Sequence, residues 1–267
     1  MDYKSFRNAL LLGEANYSFT SAFCQEFDGN ITATEYGDAE SIATRYFDGD
    51  PSQLQKWLEQ IVSNAESSSS PLCAGGDARI KIMASVNARS LGKDDATCLC
   101  ERWNGKSWDA PSSFWEHQQQ PTNTTDNNNN NNNNHTIVPF DLIIFNFPHT
   151  GQCGRAPKLL RALFKQARLC VEQGRLTPNV VIEMRLRDDD APGHRKLTRV
   201  AYQHEEAAAY SQFALLGAYE SDLDHWHQLG YRHRTTRKNV DCRGMPCKVW
   251  RWCLQESLPK AGGAEVT

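Results

Sequence analysis

Short apolar runs alternate along this chain with longer stretches whose apolar residues recur every three or four positions, the pattern of strands feeding amphipathic helices. Runs at 9–12, 31–35, 80–86, 142–145 and 180–186 predict strands, and a weaker pair is expected near 231–236 and 248–254. Helical spacing predicts helices over 18–26, where Phe19, Ala22 and Phe23 share a face, and over 39–46, 53–64, 157–171 and 221–229. The continuous run Leu142-Ile143-Ile144-Phe145 suits a central parallel strand covered on both faces. The expected fold is therefore α/β: a doubly wound, mostly parallel sheet of about seven strands with helices on both faces, its last strands running against the rest.

One stretch breaks the alternation. Eight consecutive asparagines, Asn127 to Asn134, follow Gln118, Gln119 and Gln120 in a segment with no apolar period, which cannot bury enough surface to offset the entropy of ordering it. An insertion loop is expected at about 92–135 within one domain spanning 1–267, with a flexible tail from about 256. Trp103, Trp108, Phe114 and Trp115 lie inside the insertion, so part of it is expected to dock on the body.

Composition narrows the classes. At 267 residues, 39% hydrophobic and 23% charged, the chain can bury one sizeable core, and collagen-like, coiled-coil and wholly disordered readings are excluded. A mean hydropathy of -0.63 fits a share of solvated loop. No apolar run reaches the roughly 18–20 residues of a membrane span, and residues 1–9 are too polar for a secretory leader, so a soluble intracellular protein is expected, whether nucleolar, nuclear or cytoplasmic. The nine cysteines are scattered and odd in number, which argues against a disulfide framework. Cys242, Cys247 and Cys253 with His233 do not match a zinc-ligand frame, and no metal is expected. The net charge of -3 conceals an asymmetry: residues 1–140 carry -8 and residues 141–267 carry +5. The basic half permits a polyanionic partner.

Four strand ends offer chemistry. After the first strand comes Gly13-Glu14-Ala15-Asn16-Tyr17-Ser18, placed where a nucleotide-like ligand meets backbone amides in doubly wound folds. A single glycine disfavours a pyrophosphate cradle and suits S-adenosylmethionine better. Alternatively Gly13 only turns the chain and Asn16 or Ser18 caps a helix. Glu35 and Asp38 close the second strand, where a carboxylate accepts from a ribose diol, or else they begin the next helix. Asn87, after the third strand, is placed to read an adenine edge. The fourth strand delivers Asn146-Phe147-Pro148-His149, in which an amide carbonyl can accept from a base N–H and a ring can stack on its face. Here too a bland reading exists, with Asn146 forming a turn and Phe147 in the core. His149 and His194 are candidate acid–base groups. The next predicted helix carries Arg155, Lys158, Arg161, Lys165 and Arg168 along one stripe, with Arg232, Arg234, Arg237 and Lys238 later: phosphate contacts, or a solvated face.

Together the strings 10–19, 31–36, 86–88 and 140–151 resemble the 25S rRNA (uridine-N3) methyltransferase-like family, Rossmann-type enzymes dependent on S-adenosylmethionine. The resemblance implies methyl transfer to N3 of a uridine in large-subunit ribosomal RNA. It places Gly13, Glu14, Asn16 and Ser18 on the cofactor and residues 146–149 on the base, with His149 or the Asn146 carbonyl as proton acceptor. The chain departs from the family pattern in having Ala15 for Gly, an acid at Asp38 rather than at position 37, and Asn87 for Asp. Two other readings remain open: methylation of a tRNA or an exocyclic amine, and a non-catalytic RNA-binding protein that keeps the fold.

Overall fold

A computed structural model describes residues 3–67, 79–93, 99–120, 136–148, 155–187, 202–233 and 245–258. At its centre β1 (Asn8–Leu12) pairs in parallel with β2 (Asn30–Thr34) on one side and with β8 (Phe140–Asn146) on the other. Beyond β2 lies β3 (Ile80–Ala84), and beyond β8 lies β9 (Leu176–Arg187), both parallel. The chain thus runs outward from β1 through β2 and β3, then returns to β8 on the far side of β1. Where strand order reverses, the carboxyl ends of β1 and β8 open a crevice.

The alternation of side chains along these strands sorts the core onto two faces. Ala9, Leu11, Leu142 and Ile144 pack with α1 (Ser18–Phe23), α2 (Ala39–Tyr46), α3 (Pro51–Ser67) and α6 (Leu223–Gln228). Leu10, Leu12, Ile143 and Phe145 face α4 (Ala156–Glu172) and α5 (His204–Tyr210). On α4 the buried stripe is Leu160, Leu163, Phe164 and Ala167, and each large side chain there stabilises by about 1.5–3 kcal/mol.

The sheet has nine strands rather than about seven, in the order β10-β11-β9-β8-β1-β2-β3-β4-β5, and it is mixed. Two of them, β4 (Leu99–Trp103) and β5 (Ser112–Ser113), come from the segment expected to be a loop and extend the β3 edge antiparallel. Aromatics explain why. Phe114 and Trp115 are fully buried against Phe140, and the Trp115 indole donates to the Leu91 carbonyl at 2.7 Å. A short pair, β6 (Gln119–Gln120) with β7 (Thr136–Ile137), closes this segment, and the asparagine run lies outside the described residues.

At the other edge β11 (Cys247–Leu254) runs antiparallel to β9 and pairs with β10 (Phe213–Glu220). The partner strand expected near 231–236 is not one: residues 231–233 are irregular, and 234–240 lie outside the described residues. The tail expected from about 256 begins as a turn of 3-10 helix at Gln255–Ser257, tied by Arg168–Glu256 at 2.9 Å and by the Ser257 hydroxyl donating to the Pro178 carbonyl at 2.6 Å. Among the described residues no helix is long and apolar enough to cross a membrane, and no group of three His, Cys, Asp or Glu could hold a metal.

Candidate active site

β1 ends at Gly13, whose φ of +65° is left-handed and where an added Cβ would stand 2.8 Å from the Phe145 ring. The turn stays left-handed at Ala15 (φ 55°) and Tyr17 (φ 57°), conformations that cost an L-residue about 1–2 kcal/mol each. Two bonds hold them. The Ala15 amide donates to Glu35 Oε2 at 2.8 Å, and the Tyr17 hydroxyl donates to the Met83 carbonyl at 3.0 Å.

Glu14 in the turn and Glu35 at the end of β2 are both buried. Glu14 accepts through Oε2 from the Thr20 amide and hydroxyl at 2.9 and 2.8 Å, while its Oε1 has no partner. Burial raises its pKa to about 7, although the Thr20 bonds pull the other way. Burial also raises Glu35, against the backbone bonds it accepts. Asp38 is different: its side chain is exposed and caps α2 by accepting from the Ser41 amide at 2.8 Å, so it serves the helix and does not line the cavity. Ser18 is also absent from the lining. Its hydroxyl donates to the Arg232 carbonyl and accepts from the Arg232 amide, both at 2.9 Å, pinning the segment after α6 over the first turn. Asn16 stays in the lining, and Asn87 does too, its Oδ1 taken by the Arg89 amide at 3.0 Å.

At the end of β8, Asn146 is buried. Its Oδ1 accepts from Arg185 Nη1 at 2.7 Å, and its Nδ2 is buried without a partner. A guanidinium has only donors, so the oxygen must face Arg185 and the amide nitrogen is the free end. The carbonyl expected to accept from a base is therefore turned toward Arg185. Phe147 follows with φ 46°, a strained position for an aromatic, and packs on His233 at 4.6 Å between ring centroids. Pro148 is buried but does not line the cavity, and His149 and His194 lie outside the described residues.

Behind Asn146 lies a polar network that sequence reasoning missed. Arg185 is fully buried; it pairs with Glu183 at 3.0 Å, bonds the Tyr3 hydroxyl at 3.0 Å, and stacks over Phe19 and Trp226. Arg251 reaches the other Glu183 oxygen at 2.8 Å, and Tyr3 donates to Glu183 at 2.9 Å. Burial works against the charge on Arg185, but Tyr3 and Glu183 outweigh it and its pKa stands above the ordinary value. Burial likewise pushes Tyr3 up to about 12, so its hydroxyl keeps its proton. Two arginines against one glutamate leave the network one positive charge in excess. The signal was available in the sequence: Glu183 and Arg185 sit two apart in a strand that must be covered on both faces, and charges there need partners.

These strand ends enclose a cavity of about 570 Å³, lined by Gly13, Glu14, Asn16, Glu35, Asn87 and Asn146 among others. Phe147, Arg45, Arg89, Arg155, Arg232 and His233 complete its rim. Of the basic stripe only Arg155 reaches it. Lys158, Arg161 and Lys165 are exposed along α4, Arg161 bonding Gln203 at 3.3 Å. Arg168 is paired with Glu172 at 3.0 Å as well as with Glu256, so it is not the open phosphate contact the stripe pattern implied.

A nucleoside-sized cavity at the strand-order reversal of a doubly wound sheet is the architecture of a nucleotide- or cofactor-binding α/β enzyme. Residues 10–237 match the family described as rRNA (uridine-N3-)-methyltransferase BTM5-like, and the chain belongs to that family of RNA methyltransferases. No curated protein sequence matches it. Similar solved structures include the 30S ribosomal A1408 methyltransferase from an uncultured bacterium, 8% identical with a TM-score of 0.43 over 93% of this chain and 87% of that one. Others are the O-methyltransferase from Bacillus cereus in complex with SAH, 11% identical (TM-score 0.43, 93% and 74%), and TomG from Streptomyces achromogenes, 9% identical (0.41, 93% and 74%). At such identities and scores these likenesses bear on no residue's role.

Proposed function

We propose that this protein transfers a methyl group from S-adenosylmethionine to N3 of a uridine in large-subunit ribosomal RNA. The observation that carries the choice of base is the orientation of Asn146. Its free amide nitrogen donates, and uracil offers carbonyl oxygens on both sides of N3. An exocyclic amine would need an acceptor at that place, and the Asn146 oxygen is turned to Arg185 instead. Because N3 lies on the pairing edge, the target must be unpaired or turned out of a helix, and the Phe147 ring is a platform for its face.

The cavity fits the cofactor. Glu35 would take the ribose diol, the amide of Asn87 an adenine nitrogen, and the orphaned Oε1 of Glu14 the positively charged methionyl end. When bound, the cofactor would supply an electrophilic methyl group carried on a sulfonium. The chain's own residues hold the two partners in line and exclude water. Arg155 at the rim, with Lys158, Arg161 and Lys165 beyond it, provides for the phosphates of the RNA.

The test is mass spectrometry of nucleosides from rRNA incubated with enzyme and labelled S-adenosylmethionine. Labelled 3-methyluridine is the expected product. Label in an adenosine or cytidine amine would overturn the choice of base, and no label with intact cofactor binding would favour a binding protein.

A further inference from the structure

Resting on the reading of uracil as the target, we propose that Arg185 is a positioning residue that sets the protonation state of the base. By holding Asn146 and leaving one buried positive charge behind it, Arg185 makes the N3-deprotonated uracil the bound form, so that water takes the proton and no protein base is required.

Neutral uracil has no available lone pair at N3. Heterolysis of the N3–H bond leaves its electron pair on the ring, spread over N3 and the two flanking carbonyl oxygens, and the proton passes to solvent. The end of the cavity at Asn146 favours that anion over its neutral parent, because it offers donors and positive charge. The Asn146 oxygen is committed to Arg185 at 2.7 Å, and its N–H group is left to meet a carbonyl oxygen whose charge grows on ionisation. An amide whose oxygen accepts from a guanidinium is also a stronger donor through its nitrogen.

The surroundings hold that charge in place. Around Arg185 stand Glu183 on its own strand, Tyr3 from the amino-terminal segment, Arg251 from β11, Tyr231 after α6 and, further off, Glu14. Glu183 is shared between two arginines and cancels only one of them. The cavity itself presents Glu14, Glu35, Tyr36, Tyr46, Tyr231 and His233 along with four arginines, Arg45, Arg89, Arg155 and Arg232. Cations outnumber carboxylates there as well. His233 has its Nδ1 against the Tyr231 hydroxyl at 2.9 Å and its ring against Phe147.

The experiment places 5-fluorouridine at the target position of an RNA oligonucleotide and follows its fluorine NMR signal with pH, bound to the protein without cofactor. The fluorine reports N3 ionisation directly. In the wild-type complex the midpoint is expected at least one pH unit below that of the free oligonucleotide, a tenfold or greater preference for the anion. Arg185→Gln is expected to bring the midpoint back to the free value. Arg251→Gln removes one charge from a part-exposed position, leaves Asn146 untouched and is expected to return the midpoint most of the way, which keeps the test available should Arg185→Gln not fold. Glu14→Gln controls for the carboxyl that itself titrates near neutrality. In turnover, the Arg251 variant should lose about tenfold in kcat at pH 7 for each pH unit by which its midpoint rises, and 5-fluorouridine, more acidic at N3, should restore it.

A bound midpoint equal to the free one overturns the proposal, as does a lowered midpoint that survives both arginine substitutions. A kcat profile that breaks instead at a histidine, and loses that break in His233→Gln or His149→Gln, would assign the proton to a protein base. The labelled-nucleoside assay keeps the two ideas apart: 3-methyluridine without a lowered midpoint refutes the role of Arg185 alone, whereas absence of 3-methyluridine refutes the target.

Discussion

Asn146 works by which end of its amide is free, so its substitutions separate. Asn146→Ala removes a donor used most in the transition state and is expected to lower kcat by roughly 10² or more while RNA affinity changes little. Asn146→Asp keeps an acceptor for Arg185 but turns a second acceptor to the uracil oxygen, and its loss should be at least as large. Single-turnover rates beside RNA binding measure both. Glu14 gives a pH signature in stability. Its folded pKa of about 7 exceeds the ordinary carboxyl value of 4.5, so the folded state binds a proton more tightly, and stability is lost as pH rises between those values. Glu14→Gln should therefore be the more stable form at pH 8, by about 3 kcal/mol, with the advantage gone below pH ~4.5. Urea titrations of the two proteins without cofactor would show a constant difference if the carboxyl were not buried as described. Gly13 belongs to the same scale. Since its φ and the Phe145 ring both oppose a side chain, Gly13→Ala is expected to lower Tm before it affects any ligand, and unchanged Tm would place the constraint in the cofactor instead.

Among the elements, the segment between β3 and β8 has two characters. Its aromatic part belongs to the core: Trp115→Ala should cost about 3–5 kcal/mol, read as a displacement of the denaturation midpoint. Removing residues 122–134 should leave Tm and turnover nearly unchanged, because β6 and β7 already pair and two residues remain to join them. A large loss of activity on that deletion would make the asparagine run a substrate contact. The parallel centre was legible because apolar runs such as 142–145 admit one reading once they must be covered twice. β4 and β5 were not, since Leu99–Trp103 alternates weakly and is ordered by aromatics distant in sequence. β10 escaped for a related reason: Phe213–Glu220 is an edge strand with exposed Leu215, Leu216 and Tyr219, so burial never imposed a period on it. In the site, Gly13, Glu35, Asn87 and Asn146 were legible as residues at strand ends. The direction of the Asn146 amide was not, because it depends on a partner 39 positions away.

Over the whole molecule, the basic half puts cations on α4 and, with Arg155 and Arg232, at the cavity rim, where Arg45 and Arg89 of the acidic half join them. Lys158→Glu with Lys165→Glu should weaken RNA binding and flatten the slope of log K against log salt by roughly 0.7 per lost phosphate contact, at little cost to saturated turnover. An unaltered slope would make the stripe a solvated face. The polar network also dictates an order of events in the history of each molecule. Tyr3, Asn146, Glu183, Arg185 and Arg251 are joined by bonds, some of which span 180 positions or more, and Arg251 arrives on a strand that inserts between two others. A nascent or refolding chain can therefore complete β1, β2, β3 and β8 before Arg185 on β9 arrives to fix the Asn146 amide and before Arg251 on β11 brings the network's second positive charge. Competence is the last property to appear, and recovery of methyl transfer after dilution from denaturant should lag behind recovery of circular dichroism by the time β11 needs to dock.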